Sequence, residues 1–135
     1  MLLIDDDEVT NFYNTHILNK MGVAEHIHFE MNGENGLKYL TDKANYDEDY
    51  VHPELILLDI NMPIMNGFEF LDAYEKLSEA ERGKHLIVML TSSPLSMDMD
   101  RAHSFPSLRD YITKPLKENQ VNELLEKYFG ESGAA

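Results

Sequence analysis

The sequence predicts a doubly wound α/β domain, a five-stranded parallel sheet flanked by five helices. Three observations lead there. Short apolar runs alternate with amphipathic stretches five times along 135 residues, the pattern of repeated βα units. Two of the runs, Leu55–Leu58 and Leu86–Leu90, are apolar at every position, as strands covered on both faces are. Four runs stop at polar residues suited to phosphoryl chemistry, and parallel strands would gather those ends on one edge of the sheet, where ligands bind in open α/β folds.

The first strand, Met1–Ile4, runs into Asp5-Asp6-Asp7-Glu8. Its shortness suggests that a residue or two of it lies upstream. Val9, Phe12, Tyr13, His16, Ile17 and Met21 then recur at helical spacing, with Gly22 as a C-cap. Residues 23–30 read as a second strand, less apolar and so nearer an edge. Gly36, Leu37, Leu40 and Ala44 outline a second helix, entered through Asn32-Gly33, and residues 45–53 form an acidic, aperiodic loop.

Leu55–Leu58 is the third strand and ends at Asp59. Phe68, Leu71, Tyr74 and Leu77 mark the third helix. Leu86–Leu90 is the fourth strand and ends at Thr91-Ser92-Ser93. A fourth helix is expected within Leu95–Ser104 on the thin apolar face of Leu95, Met99 and Ala102. The fifth strand, Arg109–Ile112, leads through Thr113 to Lys114-Pro115. Val121, Leu124, Leu125, Tyr128 and Phe129 form the last helix, ended by Gly130. Neither a linker nor a repeat interrupts the pattern, so residues 1–130 form one domain. Residues 131–135 are expected to form a short tail, with no output domain within this chain.

Composition narrows the function. The chain carries 25 acidic residues against 11 Lys and Arg, a net charge of −14, with no basic run. That balance disfavours direct binding to nucleic acid or to an anionic membrane, both of which draw on clustered positive charge, and neither is expected as a partner. No apolar run approaches the roughly 20 residues of a membrane span, and no signal peptide opens the chain. The absence of cysteine removes disulfides and thiolate metal sites and suits a cytoplasmic protein.

The chemistry lies in the strand ends. Two carboxylates ~4 Å apart repel by about 4 kcal/mol at an effective dielectric near 20. Asp5, Asp6 and Asp59 on one edge therefore require a cation or retained protons. Mg²⁺ (or Mn²⁺) meets that need through carboxylates, waters and phosphate oxygens. Lys114 adds a positive charge, Thr91 adds a hydroxyl, and an aspartate facing such a cation is a competent nucleophile toward phosphorus. Other polar features read blandly. Asp7-Glu8 suits a helix N-terminus, the six histidines lack metal spacing, His26 and His28 read as a surface pair, and Asp47-Glu48-Asp49 is too short for a calcium loop.

Asp5-Asp6, Asp59-Ile60-Asn61-Met62-Pro63 with Asn66-Gly67, Thr91-Ser92 and Lys114-Pro115 together resemble the CheY-like receiver domain of two-component response regulators, a flavodoxin-like fold. The resemblance spans nearly the whole chain. It implies that Asp59 is the phosphoacceptor. Mg²⁺ would be held by Asp5, Asp6, Asp59 and the Asn61 backbone carbonyl, with Asp6 the direct ligand of the first pair. Lys114 would pair with the phosphoryl group, Thr91 would move toward it, and Tyr111 would be the aromatic switch. Lys114-Pro115 resembles the family's cis peptide bond, and Ser92 its small residue beside the phosphoryl group. Asn61 and Ser93 occupy the positions that tune hydrolysis of the acyl phosphate, and Asn66 stands where many members carry Asp.

By the same resemblance the chain is a single-domain response regulator in phosphorelay signal transduction. Its only catalysis would be its own phosphorylation and slow autodephosphorylation. Its phosphodonor would be a histidine kinase or histidine phosphotransfer protein, and its output a protein bound on the face of the fourth helix, fifth strand and fifth helix. The alternative is a receiver-like docking module that is never phosphorylated. A phosphohydrolase of the haloacid dehalogenase type needs a second Asp where this chain has Asn61. A flavodoxin-like cofactor binder must cradle phosphate in its first loop, where Asp5-Asp6-Asp7-Glu8 would repel it.

Overall fold

The computed structural model describes residues 1–24, 26–41, 54–60, 62, 64–77, 85–91, 100–102 and 104–129. Five strands, β1 (Leu2–Ile4), β2 (His28–Glu30), β3 (Leu55–Asp59), β4 (Leu86–Thr91) and β5 (Leu108–Thr113), pair in the order β2-β1-β3-β4-β5, every pair parallel. Helices α1 (Glu8–Met21), α2 (Gly33–Thr41), α3 (Gly67–Glu75) and α4 (Glu118–Phe129) connect or follow them. Residues 100–102 are also helical, inside the expected Leu95–Ser104 helix, whose residues 95–99 and 103 lie outside the described set. The predicted fold class holds.

Both faces of the sheet are covered, which explains why β3 and β4 carry no polar alternation. Leu2, Ile4, Ile56, Leu58, Ile87 and Met89 pack with Leu40, Phe68, Leu71 and Ala102 on the side of α2 and α3. Leu3, Leu55, Leu57, Val88 and Leu90 pack with Leu18, Val121 and Leu124 on the side of α1 and α4. Period-two geometry sorts a uniformly apolar strand between two cores. The chain runs outward from β1 in one direction to β2 and in the other through β3, so strand order reverses between β1 and β3. The C-terminal ends of those strands meet there.

Several expectations need correction. The second strand is three residues, not residues 23–30. β2 is an edge strand whose only partner among the described residues is the three-residue β1, from Leu2↔His28 to Ile4↔Glu30, and pairing extends no further than the partner does. The fifth strand is one residue longer at each end than Arg109–Ile112. The N-terminal part of the apolar stripe of α1 does not face the core: Val9 and Phe12 are 74% and 77% exposed and Tyr13 is 41% exposed, whereas Asn11, Asn14 and Leu18 are buried. Of the stripe only Ile17 and Met21 turn partly inward, Met21 against the core. Asp7 caps the helix and Asn11 bonds the Asp5 carbonyl, and together they turn the 11-14-18 stripe inward. The third helix stops at Glu75 with Lys76 as C-cap, leaving Leu77 packed against the core just beyond it. Gly22 ends α1 as expected, in a left-handed conformation (φ 63°) with its N–H donating to the Asn19 carbonyl. Ala44, the loop 45–53, Gly130 and the tail 131–135 lie outside the described residues.

Candidate metal and phosphoryl site

Asp5 is the first residue after β1 and is held at every polar atom. Its N–H donates to the Glu30 carbonyl (3.1 Å) and its carbonyl accepts from Asn11 Nδ2 (2.8 Å). One carboxylate oxygen accepts from the Asp7 N–H (3.0 Å), and the other accepts from Lys114 Nζ (2.8 Å). Only 3% of Asp5 is exposed. Asp6 follows and is exposed.

Asp59 closes β3, buried beside Asp5 because Ile4 and Leu58 are register partners. Gly67 seals the backbone behind it. The Gly67 N–H donates to the Ile60 carbonyl at 2.7 Å, and a Cβ at Gly67 would stand 2.5 Å from the Asp59 carbonyl oxygen. Asn66 caps α3 through a reciprocal pair with Glu69, Asn66 Oδ1 accepting at 2.9 Å and Glu69 Oε1 at 3.0 Å. Just ahead of Asn66, Ile64 takes φ 67°, and the Met65 carbonyl accepts from the Gly33 N–H at 3.1 Å. The loop after β3 is thus tied to the start of α2.

Lys114 arrives from β5. Its N–H donates to the Thr91 carbonyl at 2.6 Å, the Lys114–Pro115 peptide is cis, and Nζ lies 2.8 Å from Asp5 Oδ2 and 3.1 Å from Asp59 Oδ1. Thr91 is buried at the end of β4, and Tyr111 is half-buried on β5 against the core on the α2–α3 side.

The electrostatics follow from that crowding. Burial, then the Asp5 charge, push the Asp59 carboxyl up to about 6, with Lys114 opposing. Burial alone would pull the Lys114 ammonium down, but the hydrogen bond to Asp5 and the charges of Asp59 and Asp5 outweigh it and raise it above its ordinary value. One carboxylate oxygen from each of Asp5, Asp6 and Asp59 falls within 4.8 Å of the others. One lysine against three carboxylates leaves negative charge uncompensated, and an all-oxygen donor set of this kind fits a hard divalent cation.

The sequence-level candidates separate clearly. Asp5, Asp6, Asp59 and Lys114 converge, with Thr91 and Pro115 adjoining through Lys114. Asn61, Ser92 and Ser93 lie outside the described residues. Asp7 belongs to the helix: it accepts from the Val9 N–H (3.0 Å) and the Thr10 hydroxyl (2.8 Å), and the Thr10 bond leads in lowering its carboxyl below the usual range. No histidine joins a metal-capable group among the described residues. His26 lies outside β2, and His28 pairs with Glu30 and stacks on Tyr39 with ring centroids 4.1 Å apart. Asn11 was absent from the sequence-level candidates. Its only signal was a polar residue sharing a helical stripe with Leu18.

A parallel sheet of this order, with clustered carboxylates and a lysine at its switch point, defines a doubly wound α/β domain whose ligand edge suits a cation and an anionic oxygen group. The chain belongs to the response regulator receiver domain family, whose family model matches residues 1–126; it is a CheY-like receiver domain of two-component signalling. It is 32% identical over 128 residues to the chemotaxis protein CheY of Listeria monocytogenes, covering 93% of this chain and 95% of that one. It is 29% identical over 128 residues to hybrid signal transduction histidine kinase G of Dictyostelium discoideum, covering 95% of this chain but 3% of that protein. The crystal structure of a two component response regulator from Cytophaga hutchinsonii superposes with a TM-score of 0.80 at 32% identity, covering 93% of this chain and 92% of that one. No described helix is long and apolar enough to cross a membrane.

Proposed function

We propose that this chain is a cytoplasmic phosphoacceptor in a phosphorelay, accepting a phosphoryl group on Asp59 with Mg²⁺ or Mn²⁺ held by Asp5, Asp6, Asp59 and the Asn61 carbonyl. The observation that carries the reading is the convergence of Asp59 with Asp5, Asp6 and Lys114. The donor is a phosphohistidine on a histidine kinase or phosphotransfer protein. An Asp59 carboxylate oxygen attacks phosphorus, an O–P bond forms, the P–N bond breaks, and the departing imidazole nitrogen recovers a proton. Bound cation supplies neutralisation of the phosphoryl oxygens. Lys114 contributes the remaining fixed positive charge and keeps Asp59 anionic enough to attack.

Output is protein binding. Phosphorylation adds roughly −1.5 to −2 charge, which draws the Thr91 hydroxyl and lets Tyr111 reposition, changing the face of the helix around residues 100–102, β5 and α4. Nothing in this chemistry turns over an external substrate beyond the phosphodonor, so the chain acts as a switch rather than an enzyme.

Intact mass after brief incubation with acetyl phosphate and Mg²⁺ tests the acceptor. A single phosphoryl adduct is expected on the wild type, absent from Asp59→Asn and absent without Mg²⁺. No adduct under rapid quench, with beryllofluoride leaving the spectrum unchanged, would replace this reading with a constitutive docking module.

A further inference from the structure

We propose that Asn11 is a positioning residue for the cation site, acting through the peptide that joins Asp5 to Asp6; this rests on the reading of those carboxylates as cation ligands. Asn11 is 1% exposed, on the inward stripe of α1. Its Nδ2 donates to the Asp5 carbonyl at 2.8 Å and lies 3.5 Å from Met31 Sδ, while its Oδ1 is buried without a hydrogen-bond partner. A leucine, with the same branching, would leave no orphaned oxygen, so an apolar residue rather than asparagine is what burial alone favours here. What asparagine supplies is the donor.

The accepting carbonyl belongs to the Asp5–Asp6 peptide. The Asp5 carbonyl, fixed by Asn11 on α1, anchors that peptide plane, while the bond from the Asp5 N–H to the Glu30 carbonyl on β2 holds the peptide before it. The plane sets the direction in which the Asp6 side chain leaves the backbone. Asp6 is exposed, and among the described residues no hydrogen bond holds its carboxylate. Its aim toward Asp5 and Asp59 therefore depends on the peptide before it. Asn11 is itself fixed, because its N–H donates to the carbonyl of the N-cap Asp7 at 3.0 Å.

Groups that orient metal ligands typically change affinity by ~10–100-fold when removed. Calorimetric titration of the intact chain with Mg²⁺ or Mn²⁺ tests this, comparing wild type, Asn11→Leu and Leu18→Val, a mild core change on the same helix. Asn11→Leu should weaken cation binding by ~10–100-fold, and Leu18→Val should leave it within about twofold. Phosphoryl uptake from acetyl phosphate by Asn11→Leu should approach the wild-type rate once the cation is saturating, because the defect lies in binding. If Asn11→Leu does not fold, Asn11→Ser shortens the arm and carries the same comparison. Unchanged affinity in the Asn11 variant overturns the proposal, as does equal weakening in Leu18→Val. A wild type that binds no divalent cation removes the underlying reading itself, a result seen without any variant.

Discussion

Lys114 Nζ stands 3.1 Å from Asp59 Oδ1 and is shared with Asp5 at 2.8 Å, so one ammonium serves both buried carboxylates of the site. Lys114→Met removes the nearest fixed positive charge from Asp59. The Asp59 carboxyl should then rise above about 6, and the developing charge on a transferred phosphoryl group would lose a donor. Loss of one preorganised donor typically costs ~10²–10³-fold in rate. Phosphoryl uptake from acetyl phosphate, followed by mass spectrometry, should slow by about 10²-fold while cation affinity holds or improves.

The raised Asp59 carboxyl makes stability depend on pH when no divalent cation is present. Its ordinary value is 3.8 and its folded value about 6. Between the two, the folded chain keeps a proton that the unfolded chain has released. The Asp59 contribution is therefore neutral below pH 3.8, turns unfavourable as pH rises toward 6, and stays unfavourable above it. That separation is worth on the order of 3 kcal/mol. In EDTA, urea denaturation should show Asp59→Asn gaining stability over wild type between pH 4 and pH 7 by up to that amount. Adding Mg²⁺ should close the gap at pH 7. A constant difference across the range would refute the account.

Gly67 is sterically required rather than conformationally required. A Cβ there would lie 2.5 Å from the Asp59 carbonyl oxygen and 3.0 Å from Ile60 Cα, both backbone atoms that cannot swing aside. Gly67→Ala must push α3 away from the end of β3 and stretch the 2.7 Å bond to the Ile60 carbonyl. Overpacking of this kind costs ~1–3 kcal/mol. Chemical denaturation should show that loss, and phosphoryl uptake should fall with it because Asp59 moves.

Val9 and Tyr13 of α1 line a groove with Lys114, Pro115 and Leu116, the Tyr13 hydroxyl donating to the Leu116 carbonyl at 3.3 Å, and Phe12 is exposed on the same helix. If Asp59 is the acceptor as proposed, a macromolecular phosphodonor docking beside Lys114 would cover this face, while a small donor would not. Phe12 is 77% exposed, so Phe12→Asp should leave stability within about 0.5 kcal/mol. Transfer from a phosphorylated histidine phosphotransfer protein should drop at least tenfold, with labelling by acetyl phosphate unchanged. Equal rates from both donors would place the docking surface elsewhere.

Much of this was legible from residue patterns, and the misses have physical causes. β3 and β4 announce themselves because strands buried on both faces need apolar side chains throughout. Asp5, Asp59 and Lys114 follow from strand ends meeting at one edge. The length of β2 was not legible locally, since it is set by the three residues of β1 that pair with it. Periodicity found a stripe on α1 but not the direction it faces, which the Asp7 cap and the Asn11 bond decide. Asn11 escaped for the same reason, because hydropathy does not flag a buried amide whose partner is a backbone carbonyl.

Thr91 and Tyr111 share a face of the sheet, and that makes their coupling testable. Ile87 and Met89 pack on the α2–α3 side, so strand alternation puts Thr91 on that side too. Met89 is the register partner of Tyr111, and Tyr111 packs into the same core as Ala102. Thr91 therefore sits one pleat nearer Asp59 on the surface that Tyr111 occupies. Removing its side-chain hydroxyl leaves the carbonyl that accepts from the Lys114 N–H at 2.6 Å, so the lysine stays anchored. Thr91→Ala should accept a phosphoryl group from acetyl phosphate within a few-fold of the wild-type rate. Its response to beryllofluoride, read as amide shifts along β5 and α4, should shrink by the equivalent of about 1–3 kcal/mol of coupling. Shifts equal to wild type would mean that the signal reaches this face without Thr91.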